Sequence, residues 1–346
     1  MRRGWRWGAA AALLALTGWL LAQERAEPPY RNLHGGDIEK SFGEVLRWNL
    51  SRVTPPLPDP PLPAASPQLE LPPPHATWVG HATMLLRLPS LTLITDPQFS
   101  ERASPVAFAG PRRAYPPGVA LAALPHVDVV LISHNHYDHL DRASVEALAA
   151  QPGGPPLFIV PLGLAAWFRH LGIDSVVELG WWQTHQVRGV EVVLTPAHHW
   201  SARGLWDRRQ TLWGGFAVYG DGLRLIYTGD TGYAPDFAEI RERLADRGAF
   251  DLALIPVGCY EPRDFMRDQH VNPADAVRVF QDLGASQALG VHWGTFAGLC
   301  DEPLDQAPKD LAAAVAAAGL PSTAFTVLQR GETRRIGAGP QAAQNR

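Results

Sequence analysis

Cysteine is scarce in this sequence of 346 residues, and no dense block of lysine or arginine occurs in it. Two cysteines, Cys259 and Cys300, are too few for a disulfide scaffold or a zinc site made of thiolates, and their positions do not show whether they pair. A formal net charge of −4 without a basic stretch provides no footprint for a nucleic-acid backbone, so no nucleic-acid partner is expected. Only 18% of the residues are charged and 46% are hydrophobic, which excludes a disordered protein and allows a large core.

The N-terminus has the pattern of a secretory signal peptide. Arg2, Arg3 and Arg6 precede an apolar run over residues 8–22, which is short for a membrane-spanning helix and is not followed by a clear cleavage triplet. We therefore expect residues 1–24 to be a signal peptide or an uncleaved membrane anchor, with a buried N-terminal helix as the alternative. With the arginines retained on the cytoplasmic side of the membrane, the rest of the chain would lie on the periplasmic side.

Residues 25–75 are predicted to form an extension that precedes the main domain. An amphipathic pattern over residues 38–50 predicts a short helix that could dock on the domain or on a membrane. Ten of the twenty positions from 55 to 74 are proline, which forces extended backbone. This stretch is therefore either a linker or an arm that wraps around the domain.

From about residue 76, β-rich runs alternate with helical ones. Strands are predicted at 84–88, 91–95, 129–133, 190–194, 223–228, 252–257 and 288–291, and helices at 142–150, 237–244, 273–283 and 311–318. Paired strands followed by β-α alternation predict an α/β fold in which two sheets are sandwiched between helices, giving four layers. This domain is expected to cover residues 76–330, and residues 331–346 to form a polar tail.

A dense cluster of metal-ligand side chains follows the predicted strand 129–133. His134, His136, Asp138 and His139 come directly after this apolar run, and Asp141 is in place to cap the next helix. Imidazole and carboxylate groups suit zinc, manganese or iron. Three histidines and an aspartate within six residues exceed what one tetrahedral ion uses, so two ions are predicted.

Further ligands are expected from the ends of other strands, because such strand ends meet at one edge of an open α/β sheet. His198 and His199 follow the run 192–196, Asp230 follows 225–229, and His292 follows 289–291. From the spacing alone, His198 and His199 are equal candidates.

Several motifs together carry a specific resemblance. They are WVGHAT at 78–83, LITDP at 93–97, SERASP at 100–105, the loop 134–141, TP at 195–196 with HW at 199–200, GDTGY at 229–233, YEPR at 260–263 with FM at 265–266, QHV at 269–271 and HWGTF at 292–296. Over about residues 78–330 the chain resembles N-acyl phosphatidylethanolamine phospholipase D and its bacterial relatives in the metallo-β-lactamase superfamily. The resemblance implies the metallo-β-lactamase fold, a four-layer αββα sandwich.

The resemblance also implies seven metal ligands shared by two divalent ions, with one carboxylate bridging them. The first ion takes His134, His136 and His199, the second takes Asp138, His139 and His292, and Asp230 is the bridge. The family motif has a single histidine before the tryptophan, which selects His199 over His198. Zinc is the metal that the resemblance implies, although the same ligands accept manganese or iron.

The resemblance extends to catalysis and substrate binding. Asp138 and Asp230 are the predicted catalytic residues, and Gln269 and His270 match positions near the substrate phosphate. His81 and Asp96 belong to shared motifs, where they either support the site structurally or take part in catalysis.

The implied activity is that of a phosphodiesterase of the phospholipase D type, which releases N-acylethanolamine and phosphatidate from a membrane phospholipid. Membrane association is expected with such a substrate, while the sequence leaves the oligomeric state open. One alternative is a two-metal hydrolase of a lactone or a soluble phosphodiester, since this fold supports many reactions. The other is a non-catalytic envelope protein that binds lipid.

Overall fold

The computed structural model of the protein describes residues 29–204 and 206–337. The predicted signal peptide or anchor, residues 1–24, lies outside the described residues, as do residues 338–346 of the predicted tail. None of the helices within the two described ranges has the length and apolar character that a bilayer span requires.

The described strands form two large sheets and one small one. In spatial order, the first sheet contains β16 (Thr333–Arg335), β1 (His75–Gly80), β2 (Thr83–Arg87), β3 (Thr92–Thr95), β5 (Val129–Leu131), β6 (Leu157–Pro161) and β7 (Val176–Leu179). The second contains β15 (Phe325–Val327), β13 (Ala288–Val291), β12 (Leu252–Pro256), β11 (Leu223–Tyr227), β10 (Gly215–Gly220), β9 (Val190–Thr195) and β8 (Thr184–Val187). The small sheet pairs β4 (Arg112–Arg113) with β14 (Phe296–Ala297).

The described α-helices are α1 (Phe42–Ser51), α2 (Arg142–Ala149), α3 (Ala165–His170), α4 (Asp236–Arg243), α5 (Arg263–Met266), α6 (Pro273–Leu283) and α7 (Gln306–Ala317). Short 3-10 turns lie at Leu121–Ala123 and Ala245–Arg247. The prediction for residues 273–283 matches α6 at both ends. The predicted helix 311–318 begins earlier, at Gln306, because Pro308 is tolerated in the first turn, where its missing N–H leaves no helical bond unmade.

The alternation of side chains along β5 shows how the layers are stacked. Val129 and Leu131 belong to the core between the two sheets, while Val130 and the following Ile132 belong to the core that packs against α2 and α3. Successive residues of a strand point to opposite faces, so this sheet is covered on both sides. The predicted four-layer α/β sandwich is confirmed.

The sheet continues past position 330, where we expected the domain to end. Thr333, Arg334 and Arg335 pair in antiparallel register with Thr77, Ala76 and His75 of β1. A polar edge strand held by backbone hydrogen bonds shows no apolar alternation, and for this reason the sequence pattern indicated a tail.

The proline-rich stretch is a wrapping arm. Ala65 N–H donates to the Arg330 carbonyl at 2.8 Å, Gln68 N–H donates to Thr333 Oγ1 at 3.0 Å, and Arg87 donates to the Leu69 carbonyl at 2.9 Å. Each bond ties the arm to the domain, although proline removes many of its own backbone donors.

The two cysteines form a disulfide. Cys259 and Cys300 are 41 positions apart, with their Cα atoms 5.1 Å from each other, and both are buried. Trp48, Phe265 and Met266 pack with them in a small hydrophobic cluster. The bond therefore joins the segment after β12 to the segment after β14.

We expect the double variant Cys259→Ser/Cys300→Ser to lose about 2–4 kcal/mol of unfolding free energy, since the disulfide closes a long loop of the unfolded chain. Urea unfolding measures the difference. The reduced wild type serves as the control and should match the variant. Equal midpoints for the oxidised wild type and the variant would contradict the prediction.

Candidate metal centre

The predicted ligands lie at the carboxyl ends of strands that share one edge of the sandwich. His134 follows β5, His199 follows β9, Asp230 follows β11 and His292 follows β13. Strands β11, β12 and β13 are parallel neighbours, and β9 runs in the same direction because β10 is antiparallel to both β9 and β11. Asp141 caps α2 as predicted, by accepting a hydrogen bond from Ser144 N–H.

Three of the histidines form one cluster. His134 Nε2 lies 2.7 Å from His136 Nδ1, and His199 Nε2 lies 3.3 Å from the same nitrogen. Nitrogens that bind one tetrahedral zinc ion at about 2.0–2.1 Å are about 3.3 Å apart. The 3.3 Å separation matches this value and the 2.7 Å separation is shorter, so the three imidazoles lie close enough together to bind a common metal ion.

The remaining ligands form a second cluster beside the first. Asp230 Oδ2 lies 3.0 Å from both His139 Nε2 and His292 Nε2. Asp138 Oδ2 lies 3.3 Å from His292 Nε2 and 3.5 Å from His139 Nε2. Asp230 also groups with His199 of the first cluster, which places its carboxylate between the two. The donors fit a pair of divalent cations.

The charges at the centre favour cations. Burial opposes ionisation of Asp138 and Asp230, but His139 and His292 outweigh it, so the pKa of each carboxyl lies well below its usual value. Burial likewise opposes protonation of His292, yet Asp230 and Asp138 raise the pKa of this histidine to about 9. Two buried carboxylates thus demand positive charge from their surroundings, which divalent ions also provide.

The three histidines of the first cluster have lowered pKa values, in contrast to His292. Burial lowers the pKa of His136 and of His199 to about 3, and that of His134 well below its ordinary value. All three are therefore neutral at physiological pH, and neutral imidazole is the form that binds metals.

Asp96 orients His139 of the second cluster through the ring nitrogen that points away from the cluster. His139 Nδ1 lies 2.6 Å from Asp96 Oδ2, while the hydroxyls of Ser133 and Tyr227 donate to the same oxygen. A carboxylate in this place fixes the tautomer of the histidine, so that Nε2 faces the metal. Of the two roles that the sequence left open for Asp96, the contacts favour structural support.

His81 supports the neighbouring carboxylate. Its Nε2 lies 3.0 Å from Asp138 Oδ2, and its ring lies 4.0 Å from that of His292. Burial lowers the pKa of His81 to about 3, so a neutral ring donates this hydrogen bond. His81 thereby limits the rotation of Asp138.

The structure gives different surroundings to the two adjacent histidines after β9. His199 belongs to the first cluster, where its Nδ1 donates to the Gln269 carbonyl at 2.9 Å, whereas His198 belongs to none of the clusters of potential metal ligands. Thus Gln269 acts on a ligand through its backbone, and its side chain accepts a hydrogen bond from Trp200.

His270 is buried beside Asp230, whose carboxylate lies between the two clusters. Its Nδ1 lies 3.8 Å from Asp230 Oδ2 and makes no hydrogen bond among the described residues. The contact of His270 with substrate stays a prediction.

Two supporting residues lie outside the motifs. Asn32 Oδ1, in the N-terminal extension, accepts a hydrogen bond from His199 N–H at 3.0 Å. Arg203 donates to the carbonyls of Asn135 and Leu140 at 2.8 and 2.7 Å, which braces the ligand loop. No sequence pattern marks either residue, because each acts through a contact that only the folded chain creates.

An αββα sandwich with buried histidines and aspartates at its strand ends is the metallo-β-lactamase fold with a candidate metal centre. Comparison with known proteins agrees, since a beta-lactamase superfamily domain matches residues 92–293. An uncharacterized protein of Mycobacterium tuberculosis strain H37Rv is 41% identical over 306 residues, 84% of this chain and 80% of the relative. An N-acyl-phosphatidylethanolamine-hydrolyzing phospholipase D of Caenorhabditis elegans is 39% identical over 74% of each chain.

Among solved structures, isothiocyanate hydrolase from Delia radicum gut bacteria superposes with a TM-score of 0.59 at 20% identity, over 75% of this chain and 98% of that one. This likeness concerns the fold. The chain belongs to the metallo-β-lactamase superfamily, in the group that includes phospholipases D hydrolysing N-acyl-phosphatidylethanolamine. It is a metal-dependent hydrolase.

The resemblance predicts two ions per chain with Asp230 as the bridge. On that prediction Asp230→Asn lowers the metal content to one ion or fewer, because the amide lacks the charge that a bridging ligand supplies. Elemental analysis after dialysis measures the content. Asp246→Asn changes an exposed carboxylate elsewhere and should retain the wild-type content. Full metal content in Asp230→Asn would show that its carboxylate is not the bridge.

Proposed function

We propose that the protein is a phosphodiesterase of the phospholipase D type, which hydrolyses N-acyl phosphatidylethanolamine to N-acylethanolamine and phosphatidate. The observation that carries the proposal is a centre suited to two divalent ions near a helix, α1, that exposes apolar side chains. The Caenorhabditis elegans relative, whose name describes this hydrolysis, supports the same substrate.

Two zinc ions are the cofactor in this proposal, held by the seven residues of the two clusters. When bound, such a pair neutralises charge on a phosphoryl group and lowers the pKa of water toward neutrality. The protein then has to position the phosphodiester, accept a proton and exclude other nucleophiles.

Asp230 is placed to accept the proton of the attacking water. Its Oδ1 is buried and makes no hydrogen bond among the described residues, while its Oδ2 faces His139 and His292. Asp138 is held by His81 and keeps the second cluster in place. His270, whose pKa burial lowers to about 3, is neutral and can donate one hydrogen bond to a phosphate oxygen.

Helix α1 offers a surface for the lipid substrate. Val45, Leu46 and Leu50 are exposed, Leu50 by 80%, although they are apolar. On the same helix Trp48 stacks on Phe265 at 4.7 Å, next to the segment that carries Gln269 and His270. An apolar surface at the edge of the site would enter the lipid interface and bring the headgroup to the ions.

We further propose that the domain works in the cell envelope, exported or anchored through residues 1–24. The disulfide between Cys259 and Cys300 supports this location, because disulfides persist in oxidising compartments such as the periplasm.

Purified protein is expected to release N-acylethanolamine from N-acyl phosphatidylethanolamine much faster than it opens an acyl lactone. Mass spectrometry of the products distinguishes the two, and a simple aryl phosphodiester tests general phosphodiesterase activity. Asp230→Asn should be inactive in all three assays. Rapid lactone opening without release of N-acylethanolamine would overturn the proposal.

We expect Leu46→Gln/Leu50→Gln to weaken binding to phospholipid vesicles by at least about tenfold, since a buried leucine contributes about 1.5–3 kcal/mol. Vesicle sedimentation measures the binding. Hydrolysis of a soluble aryl phosphodiester should stay at the wild-type rate, because neither leucine touches the metal centre. Unchanged vesicle binding would exclude α1 as the docking surface.

A further inference from the structure

A second cavity lies outside the metal centre, at the N-terminus of α6. Its volume is about 560 Å³, within the range of about 300–1,000 Å³ typical of small-molecule sites. None of the seven proposed metal ligands lines it. The lining residues used below are His198, Tyr233, Arg263, Arg267, Asn272 and Arg278.

The cavity carries an excess of positive charge. Its two carboxylates are already paired, since Asp268 bonds Lys40 at 2.9 Å, and Asp275 is shared by Arg263 and Arg278. Arg267 has no ion pair among the described residues. One guanidinium is therefore free to bind an anion in a cavity that two further arginines line.

Two of the three arginines, Arg263 and Arg278, are held in place by contacts, whereas Arg267 is exposed. Arg278 lies over the ring of Tyr233, with its guanidinium carbon 3.6 Å from the centroid, and Tyr233 is anchored in turn by Asp282. Arg263 donates to the His270 carbonyl at 2.7 Å. Positioned guanidinium groups match the geometry of a phosphate better than flexible ones.

Two neutral features complete the anion site. Asn272 caps the eleven-residue helix α6, whose positive dipole end therefore faces the cavity. His198 is 93% buried, and its Nδ1 makes no hydrogen bond among the described residues. The lining of the cavity thus includes a buried residue with an unpartnered polar atom, independently of the arginines and the helix end.

The cavity and the metal centre lie on opposite sides of the same chain segments. His198 precedes the proposed ligand His199, and its carbonyl accepts a hydrogen bond from Gly232, two residues after Asp230. On another wall, Arg263 holds the carbonyl of His270. An anion bound here would contact residues that are bonded to the segments carrying the proposed metal ligands.

We propose that this cavity is a second binding site for a phosphate-bearing anion, either a free phosphate compound or the headgroup of an anionic lipid. Arg263, Arg267 and Arg278 bind the anion, with help from the N-terminus of α6 and from His198. The site is distinct from the metal centre and does not depend on the substrate proposed above.

The test is calorimetric titration of the metal-loaded, full-length protein at low salt, with inorganic phosphate, glycerol 3-phosphate and short-chain phosphatidate as separate probes. We expect two anions per wild-type chain, one at the metals and one in the cavity. Arg267→Gln/Arg278→Gln should lose at least about tenfold in affinity for the second anion, because hydrogen bonds to charged groups contribute strongly to binding. Hydrolysis of a soluble aryl phosphodiester without added anion should remain at the wild-type rate.

Arg169→Gln removes one exposed arginine from α3 and serves as the control, which should keep both anions. Similar affinity for all three probes would assign the site to the phosphate group itself, and tighter binding of phosphatidate would assign it to a lipid headgroup. Absence of a second binding event for every probe would overturn the proposal. So would an equal loss of affinity in Arg169→Gln.

Discussion

The structure depends on two carboxylates, Asp138 and Asp230, that are buried among imidazoles. Removing an ionised carboxylate from water costs on the order of several kcal/mol unless opposite charge and hydrogen bonds compensate. Here His139 and His292 lie within 3.0–3.5 Å of these oxygens, and their elevated pKa values show how strongly the carboxylates require positive charge. Bound divalent metal would meet that requirement without protonating the histidines, which would then be available as ligands.

Such a site needs a scaffold that brings distant ligands to one place and prevents them from moving apart. The two sheets do so by ending β5, β9, β11 and β13 at one edge. The backbone is strained at the ends of β13, β1 and β3, where His292, His81 and Asp96 lie in the left-handed region with φ values of 60°, 52° and 34°. Non-glycine residues in this region cost on the order of 1–3 kcal/mol each, and the packed core between the sheets offsets that cost.

Glycine provides the close approach that the ligands need. A Cβ at Gly258 would lie 2.3 Å from the carbonyl of His292, and one at Gly229 would lie 2.5 Å from the carbonyl of Gly214. Only glycine lets these backbones pass so near each other. Asp230 and His292 can therefore reach the same metal centre from different strands. Asp96 contacts His139, and His81 contacts Asp138.

Elements with a strong local pattern were predicted best. The strand before His134, the ligand loop and the cap at Asp141 all follow from residues that are close in sequence. Helix α6 was predicted at both ends because it begins with an asparagine cap and a proline and ends at a left-handed glycine. The edge strand β16 was missed, since a polar strand that pairs along one side shows no alternation.

By itself, the sequence determined that a polar loop of three histidines and an aspartate follows a buried strand, because that arrangement is local and needs no partner to be recognised. Only the tertiary structure decided that Asp96 orients His139 and that Cys259 pairs with Cys300. It also created the arginine-lined cavity beside α6. These features are contacts between residues far apart in the chain, and the packing of the two sheets alone sets the distances between them.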